Sequence, residues 1–580
     1  MSLVMSPAMD SVPHWNAQAS SPMPFGRYGK NTHAQRVSDM WPVPEVLRAP
    51  LWSSVDLRDG NQSLPNPMDR RRKQAMFDLL VRIGFKDIEV GYPSASRADF
   101  DFVRHLIEND LIPDDVTIGV FTPAKTELID RTFEALAGAS KAMVHLCNAT
   151  ACLWREAVFG MTTAQVREMV DTSATHMMRR ANAITSTNFR FEYSPETFNV
   201  TEPDFALEIS DRVASICDAS VDRPLVLNLP TTVETDTPNV FANQIDFMNR
   251  NLDRRDSIIL SVHPHNDRGT AVASAELAMM SGADRVEGTL FGNGERTGNV
   301  CLVTLALNMF SQGIDPQLDF TDIDSVRRTV ESCNQMEVHP RHPYVGDLVY
   351  TAFSGTHQDA ISKGMTAVTS LADRTGMSRD SVPWDVPYLP IDPMDVGRTY
   401  ESIVRVNSQS GKGGIAHVLE HQHGLRLPKS MRREFATVVQ AVVDTSGAEL
   451  EGSELWALFR EEYVDKQVPF LFKEALVDRS RTGGLVAIAV HLAGGDGAEV
   501  VVTGESDTVE AAFVKGLRDQ GYAAEIDELV VDSSDEGRNI AYARLTVNGL
   551  QTMGVGVDDV AENATLKALV VALNRAEPSS

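Results

Sequence analysis

Between residues 53 and 299 the chain repeats one unit eight times: a short apolar run of strand character, a polar or glycine-rich break, and a stretch of helix length. The runs are SSVDLRDG (53–60), DIEVGYP (87–93), VTIGVFTP (116–123), KAMVHLCNAT (141–150), NFRFEYSPE (188–196), PLVLNLPTT (224–232), SIILSVHPHND (257–267) and RVEGTLFGNGERTGN (285–299). Amphipathic stretches such as RRRKQAMFDLLVRIGF and TAVASAELAMMSGA lie between them. Alternating strands and helices imply a parallel sheet, and eight units suit a closed (β/α)8 barrel better than an open doubly wound sheet. A barrel also dictates where chemistry lies, because catalytic groups gather at the C-terminal ends of its strands. Those ends read Arg58 and Asp59, Glu89, Thr122, His145 and Asn148, Glu192 and Glu196, Thr231 and Thr232, His263, His265 and Asn266, then Asn293, Glu295, Arg296 and Asn299. A purely structural barrel has no use for so many polar groups on one rim.

Outside the barrel, assigned to residues 48–325, the pattern changes. Residues 1–47 are rich in Pro, Ser and Met without periodicity and read as an irregular N-terminal arm. Residues 326–450 read as a helical linker region, with loop signals at SVPWDVPYLPIDPMD, a glycine-rich SQSGKGG and a charged helix KSMRREFATVVQAVVDT. Residues 451–580 read as an α+β domain. Its two strand-rich halves each end in a Val/Gly strand (VVTG, GVGV) followed by a helix, which points to an internal duplication. Such a module on an enzyme is regulatory and ligand-binding, or else serves assembly.

Charge narrows the partners. Against 53 Lys and Arg stand 80 Asp and Glu, a net of −27, and a surface this acidic repels nucleic-acid phosphates and anionic lipid. An acidic substrate therefore needs a local positive site. The five cysteines (Cys147, Cys152, Cys217, Cys301, Cys333) form no CxxC and no disulfide-like cluster, as expected of a reducing cytoplasm. No window of 18 apolar residues and no signal-peptide pattern occurs, so a soluble, unexported protein is expected.

The pair in HPH offers the first specific chemistry. Alternate residues of a strand share a face, so His263 and His265 can chelate one cation, or can form a capping or core pair. Two neutral imidazoles call for a carboxylate and open positions. Asp59, at the end of strand one, lies two strands round the rim on closure; the alternative is a turn cap before Gly60. Asn299 can add an oxygen. Imidazole favours zinc, whereas oxygen favours magnesium or manganese. Arg58 presents a fixed positive fork to a carboxylate or oxyanion, unless it serves a structural ion pair. Thr232 offers a hydroxyl to a substrate carboxylate or closes a local turn, and His145 joins Arg58 and Thr232 as a substrate-binding candidate. Glu196 is a candidate base, or a solvated loop charge. GNGERTGN matches neither GxGxxG nor a P-loop. Metal, arginine and polar rim together fit chemistry on a 2-oxo acid, with the cation as Lewis acid and a base generating a carbanion to attack it.

LRDGNQ, followed after ten residues by Lys73, resembles the first signature of the 2-isopropylmalate/homocitrate synthase family, and HPHNDRGTAVASAELAMMSGADRVEGTLFGNGERTGN resembles the second. The arm WPVPEVLRAPLWSSVDLRDGNQ, the motif SGTHQDA (354–360) and the C-terminal duplication are similar to the family's longer, second type. The resemblance implies condensation of acetyl-CoA with 2-oxoisovalerate and water to give 2-isopropylmalate and CoA, the first committed step of leucine synthesis. It implies Asp59, His263, His265 and Asn299 around a divalent metal (Mg2+, Zn2+ or Mn2+), with an activating monovalent cation besides. Arg58 is implied as stabiliser of the enolate or ketone oxygen, Thr232 as carboxylate holder, and Glu196 with His357 as acid/base groups. His357 lies beyond the barrel, and in this family the connector reaches the neighbouring subunit, so a homodimer is implied. The C-terminal module is implied to bind leucine as feedback inhibitor. Homocitrate or citramalate synthesis, a biotin-dependent carboxyltransferase on the same barrel, and a catalytically dead amino-acid sensor are the rival readings.

Overall fold

In a computed structural model of the chain, eight parallel strands close into a barrel in sequential order, β1 to β8, with β8 returning to β1. The structure describes residues 17–29, 45–352, 354–400, 419, 423, 425–446, 450, 452–480, 484–495, 497–533 and 537–577. The strands are β1 (Leu51–Ser54), β2 (Asp87–Gly91), β3 (Thr117–Pro123), β4 (Lys141–Ala149), β5 (Asn188–Glu196), β6 (Leu225–Pro230), β7 (Ile258–His263) and β8 (Arg285–Gly288). Helices α1 (Arg70–Ile83), α2 (Arg97–Glu108), α3 (Thr126–Ala135), α4 (Thr163–Asn182), α5 (Pro203–Ile216), α6 (Pro238–Asn251), α7 (Ala271–Met280) and α8 (Leu302–Phe310) alternate with them. Closure sets Leu51 opposite Arg285 and Ser54 opposite Gly288.

Local chemistry explains the alternation. Helix α1 starts where the Asp69 side chain accepts the Arg72 backbone N–H, and stops at Gly84, whose φ of 112° suits glycine. Its buried residues Lys73, Met76, Phe77, Leu80 and Ile83 fall at helical spacing on one face. Outward strand residues such as Ile88, Val90, Leu227, Leu229, Leu260 and Val262 are buried under the helices.

The inward residues make a second, layered core. Met143, Val226 and Ile259, with Leu51 against them, form a small apolar cluster. One strand step further along lie Ser53, His145, Asn228 and Ser261, and beside them the buried charges Asp87, Glu89, Glu192, Arg285 and Glu287. Charges removed from water are tolerable only when paired. Arg285 accordingly contacts Asp87 at 3.4 Å, Glu192 at 3.5 Å, and Glu287. The polar layer thus supports the rim from beneath.

Several strand ends differ from the sequence reading. Strand one stops at Ser54, not at residue 60, and Asp56–Gly60 winds into one π-helical turn that carries Arg58 and Asp59. Strand six stops at Pro230 and strand eight at Gly288. Strand seven stops at His263, so His265 reaches the site through an isolated bridge to Asn299. In each case the chain breaks from the ladder to turn its polar groups inward over the barrel mouth.

Beyond the barrel come α9 (Ile323–Asn334), α10 (Gly355–Thr375), α11 (Lys429–Ser446) and α12 (Gly452–Tyr463). SQSGKGG and most of the N-terminal arm, residues 1–16 and 30–44, lie outside the described residues. Two compact units are distinguishable: residues 1–350 with 371–384 and 390–399, and residues 351–370 with 385–389 and 400–580. Among the described residues no helix is long and apolar enough to cross a membrane.

The second unit contains two three-stranded antiparallel sheets, one of β9 (Phe470–Asp478), β10 (Val486–Gly494) and β11 (Glu499–Ser506), the other of β12 (Ala524–Ser533), β13 (Asn539–Val547) and β14 (Leu550–Asp558). Helices α13 (Val509–Asp519) and α14 (Ala561–Ala576) follow the two sheets, so the order βββα occurs twice. The halves share a packing device. A Cβ on Gly504 would meet the Ala512 carbonyl at 1.9 Å, and one on Gly556 would meet the Ala564 carbonyl at 2.0 Å. In both halves the glycine stands eight residues before that alanine and lets the helix lie directly on the strand. Strand β9 escapes the sequence pattern because its residues are half-buried or exposed on both faces.

Candidate active site

The rim gathers three potential ligands in one place. Atoms of Asp59, His263 and His265, all buried, lie within 4.8 Å of one another. The Nε2 atoms of His263 and His265 stand 3.8 Å and 3.9 Å from Asp59 Oδ2. Their rings stack with centroids 5.1 Å apart and planes 10° from parallel. The His265 N–H donates to Thr231 Oγ1 at 2.8 Å, which helps to hold that ring beyond the strand end. Two imidazoles and one carboxylate on one face fit a divalent cation with positions left for substrate oxygens. Asn299 lies among them: its Nδ2 donates to Asp59 Oδ2 at 2.7 Å, and its Oδ1 faces His263 Nε2 at 2.6 Å.

Electrostatics agree with a cation site. Burial pushes the Asp59 carboxyl up, but Arg58 and the two imidazoles outweigh it and hold it well below the usual carboxylate range. Burial disfavours the charged form of His263, yet the Asp59 and Glu287 carboxylates raise it to about 10. His265 is driven down to about 3, by burial first and by neighbouring His263 next. The pocket therefore favours positive charge beside Asp59.

A second layer orients the first. Glu287 Oε2 lies 3.1 Å from His263 Nδ1, and the same oxygen accepts from Asn228 Nδ2 at 3.0 Å. Arg58 donates to Asp59 Oδ1 through Nη1 at 3.0 Å and to Glu89 Oε2 through Nε at 2.6 Å. Its guanidinium sits 4.9 Å above the Phe121 ring. His145 is held on both sides, by Glu89 Oε1 at 2.7 Å through Nδ1 and by Ser194 Oγ at 2.7 Å through Nε2. It braces Glu89 beneath Arg58.

The remaining candidates divide. Thr232 has a φ of 57°, and its hydroxyl oxygen accepts the Thr197 N–H at 2.9 Å, which leaves its hydroxyl hydrogen to donate. Glu196 is half-buried at the end of β5, and desolvation raises its carboxyl above the ordinary value. The Cys147 thiol approaches it at 4.0 Å. His357 belongs to the second compact unit, where it is exposed and stacks on Tyr388 with ring centroids 4.0 Å apart. It is not among the groups that the barrel rim brings together. Glu287 was missed in the sequence; its only signal is the two-residue alternation with Arg285 in RVEG, which places both charges on the inner face.

Barrel and site define a (β/α)8 enzyme whose rim sets a cluster of possible metal ligands beside an arginine, with a carboxyl raised by burial on the same rim. The HMGL-like family matches residues 49–330, and the alpha-isopropylmalate synthase post-catalytic domain-like family matches residues 347–420. A 2-isopropylmalate synthase of Corynebacterium glutamicum is 48% identical over 99% of this chain and 95% of its own length. That of Mycobacterium leprae is 48% identical over 99% and 96%, and that of Parafrankia sp. 50% identical over 97% and 99%. The chain belongs to the 2-isopropylmalate synthases.

Proposed function

We propose that the Asp59–His263–His265 cluster is the catalytic centre at which the chain condenses acetyl-CoA with 2-oxoisovalerate. Membership of the family carries the reaction; the convergence of that cluster with Arg58 at one barrel rim supports its location. A divalent cation held by Asp59, His263 and His265, with Asn299 beside them, would supply Lewis-acid polarisation of the 2-oxo acid's oxygens.

The chain's own groups do the rest. Glu196, whose carboxyl burial raises above the ordinary glutamate value, removes a proton from the acetyl methyl group. The resulting carbon attacks the ketone carbon of the oxo acid, forming one C–C bond while the ketone oxygen takes the electron pair and then a proton. Arg58, pinned by Asp59 and Glu89, presents its charge to the oxygen that becomes negative. The Thr232 hydroxyl donates to the oxo-acid carboxylate. Water then cleaves the C–S bond, releasing CoA and 2-isopropylmalate. We propose that His357 shares the acid/base work in a homodimer, serving the neighbouring subunit's site. The duplicated βββα module, residues 451–580, is proposed as the leucine-binding inhibitory domain of a cytoplasmic enzyme.

Thiol release from acetyl-CoA, measured across a panel of 2-oxo acids with and without leucine, tests this reading. The expected result is fastest release with 2-oxoisovalerate and suppression by leucine. No stimulation by any 2-oxo acid overturns the synthase reading. Faster turnover with 2-oxoglutarate or pyruvate overturns the substrate assignment alone.

A further inference from the structure

We infer that Glu234 is a positioning residue: it ties the loop after β6 to the loop after β7, and so fixes the spacing between the Thr232 hydroxyl and the His265 ring. The inference rests on the proposed roles of those two groups, Thr232 at the oxo-acid carboxylate and His265 on the cation. A 2-oxo acid carries its carboxylate and its ketone on adjacent carbons, so the groups that hold its two ends must keep one separation.

The turn that bears Thr232 is strained. Thr232 lies at a φ of 57°, in the left-handed region that costs a non-glycine residue free energy, and the Val233 N–H bridges across it to the Thr231 carbonyl at 2.6 Å. Such a conformation persists only where its surroundings hold it. Two ties run outward from the turn itself. Thr231 Oγ1 accepts the His265 N–H at 2.8 Å, and the Thr232 carbonyl accepts from Arg296.

Glu234 makes the larger part of the connection. It is only 4% exposed, and a carboxylate so buried needs hydrogen-bond donors. Its donors come from one segment, the one that follows His265. Oε2 accepts the Arg268 N–H at 2.7 Å and faces the Thr270 N–H at 3.5 Å. Oε1 accepts from the Thr270 hydroxyl, and from the Ser274 hydroxyl at 3.3 Å. The Glu234 N–H donates in return to Asp267 Oδ2 at 2.8 Å. Helix α7 begins at this point, and its N-cap Thr270 makes no side-chain cap of its own. The carboxylate therefore caps α7 from the neighbouring loop, at the helix end that favours negative charge. Residues 231–234 and 265–274 are thereby bound into one block.

Steady-state kinetics and Mn2+ binding of the full-length protein test the inference in wild type, Glu234→Gln and Thr231→Val, with bound Mn2+ read from the EPR signal of the free ion. Glutamine keeps the size of Glu234 but replaces one acceptor oxygen with a donor; valine keeps the shape of Thr231 and leaves the His265 N–H without its acceptor. In each variant the KM for 2-oxoisovalerate is expected to rise about tenfold, the scale of one buried donor left unpaired. The KM for acetyl-CoA is expected to stay that of wild type. Mn2+ affinity is expected to fall about tenfold, because the loop that shifts carries His265 with it. A role confined to folding would lower kcat through the folded fraction and leave both KM values alone. Unchanged oxo-acid KM in both variants, unchanged Mn2+ affinity in both, or an equal rise in the two KM values overturns the inference. A wild-type chain that neither binds Mn2+ nor releases CoA with any 2-oxo acid overturns the catalytic reading, and the inference with it.

Discussion

Glu287 faces Nδ1 of His263 across 3.1 Å, from a carboxylate that Arg285 and Asn228 hold in place. An acceptor at Nδ1 fixes the plane of the ring and keeps Nε2 turned toward Asp59 and Asn299. Glu287→Gln keeps the shape and removes the charge. Metal affinity is expected to fall about tenfold to a hundredfold, the usual cost of losing such a partner. Equilibrium dialysis with Mn2+ or Zn2+ checks this; unchanged affinity would show that Asn299 and Asp59 orient the ring unaided.

His263→Ala removes a ligand without touching the outward core, since the ring points into the barrel mouth. Turnover and bound metal should both be lost while the far-UV circular dichroism stays that of wild type. Normal metal content with a near-normal rate would reduce this histidine to a structural part.

Glu196→Gln should lower kcat by about a hundredfold to ten-thousandfold if the carboxylate is the base. A base works ionised, so the wild-type rate falls as pH falls through its raised pKa, and that limb lies above the ordinary glutamate value of 4.5. The Gln variant should lose the limb. Its survival would assign the limb to another group.

Asp56 supplies a stability test independent of catalysis. Burial raises its carboxyl from 3.8 to about 7, even though it accepts from the Leu290 N–H at 3.1 Å and from Ser54. A folded-state pKa above the unfolded one gives stability that is full below 3.8 and is lost as pH rises through about 7. Asp56→Asn imitates the protonated form. Denaturant titrations should therefore find the variant gaining on wild type from pH 4 to pH 8, and parallel curves would contradict the buried-carboxyl account.

Deleting residues from about 450 onward should abolish inhibition by leucine, measured as CoA release by a chain whose barrel retains its circular dichroism. Inhibition that survives the deletion places the effector site elsewhere.

The meeting of Asp59, His263 and His265 was legible because barrel rims obey a rule of position. Once eight strand–helix units are counted, Arg58, Asp59, His263, His265 and Asn299 are assigned to the C-terminal rim, although of these only His263 ends a strand itself. The π-helical form of the turn at Asp56–Gly60 was not legible: Asp59-Gly60 signals a turn, but nothing local in DLRDG sets its geometry. It is held instead by contacts far away in sequence, such as Asn293 Nδ2 donating to the Gly60 carbonyl at 3.0 Å. Glu287 was hidden for a related reason: a charge in a short strand reads as surface until closure turns it inward. Strand β9 gave little signal because its apolar residues Phe470, Phe472, Ala475 and Val477 are only half-buried and a register shift interrupts their alternation.

Asp59 and Asn299 meet across the seam where the first and last strands of the barrel join, and their hydrogen bond spans 240 residues. During synthesis a ribosome releases Asp59 long before His263, and Asn299 after both. No shorter nascent chain carries the complete cluster, however well its earlier strands have paired. The complete cluster therefore forms only when the first and last strands of the barrel are brought together, a closure that costs chain entropy. A cation held by this cluster would depend on that closure.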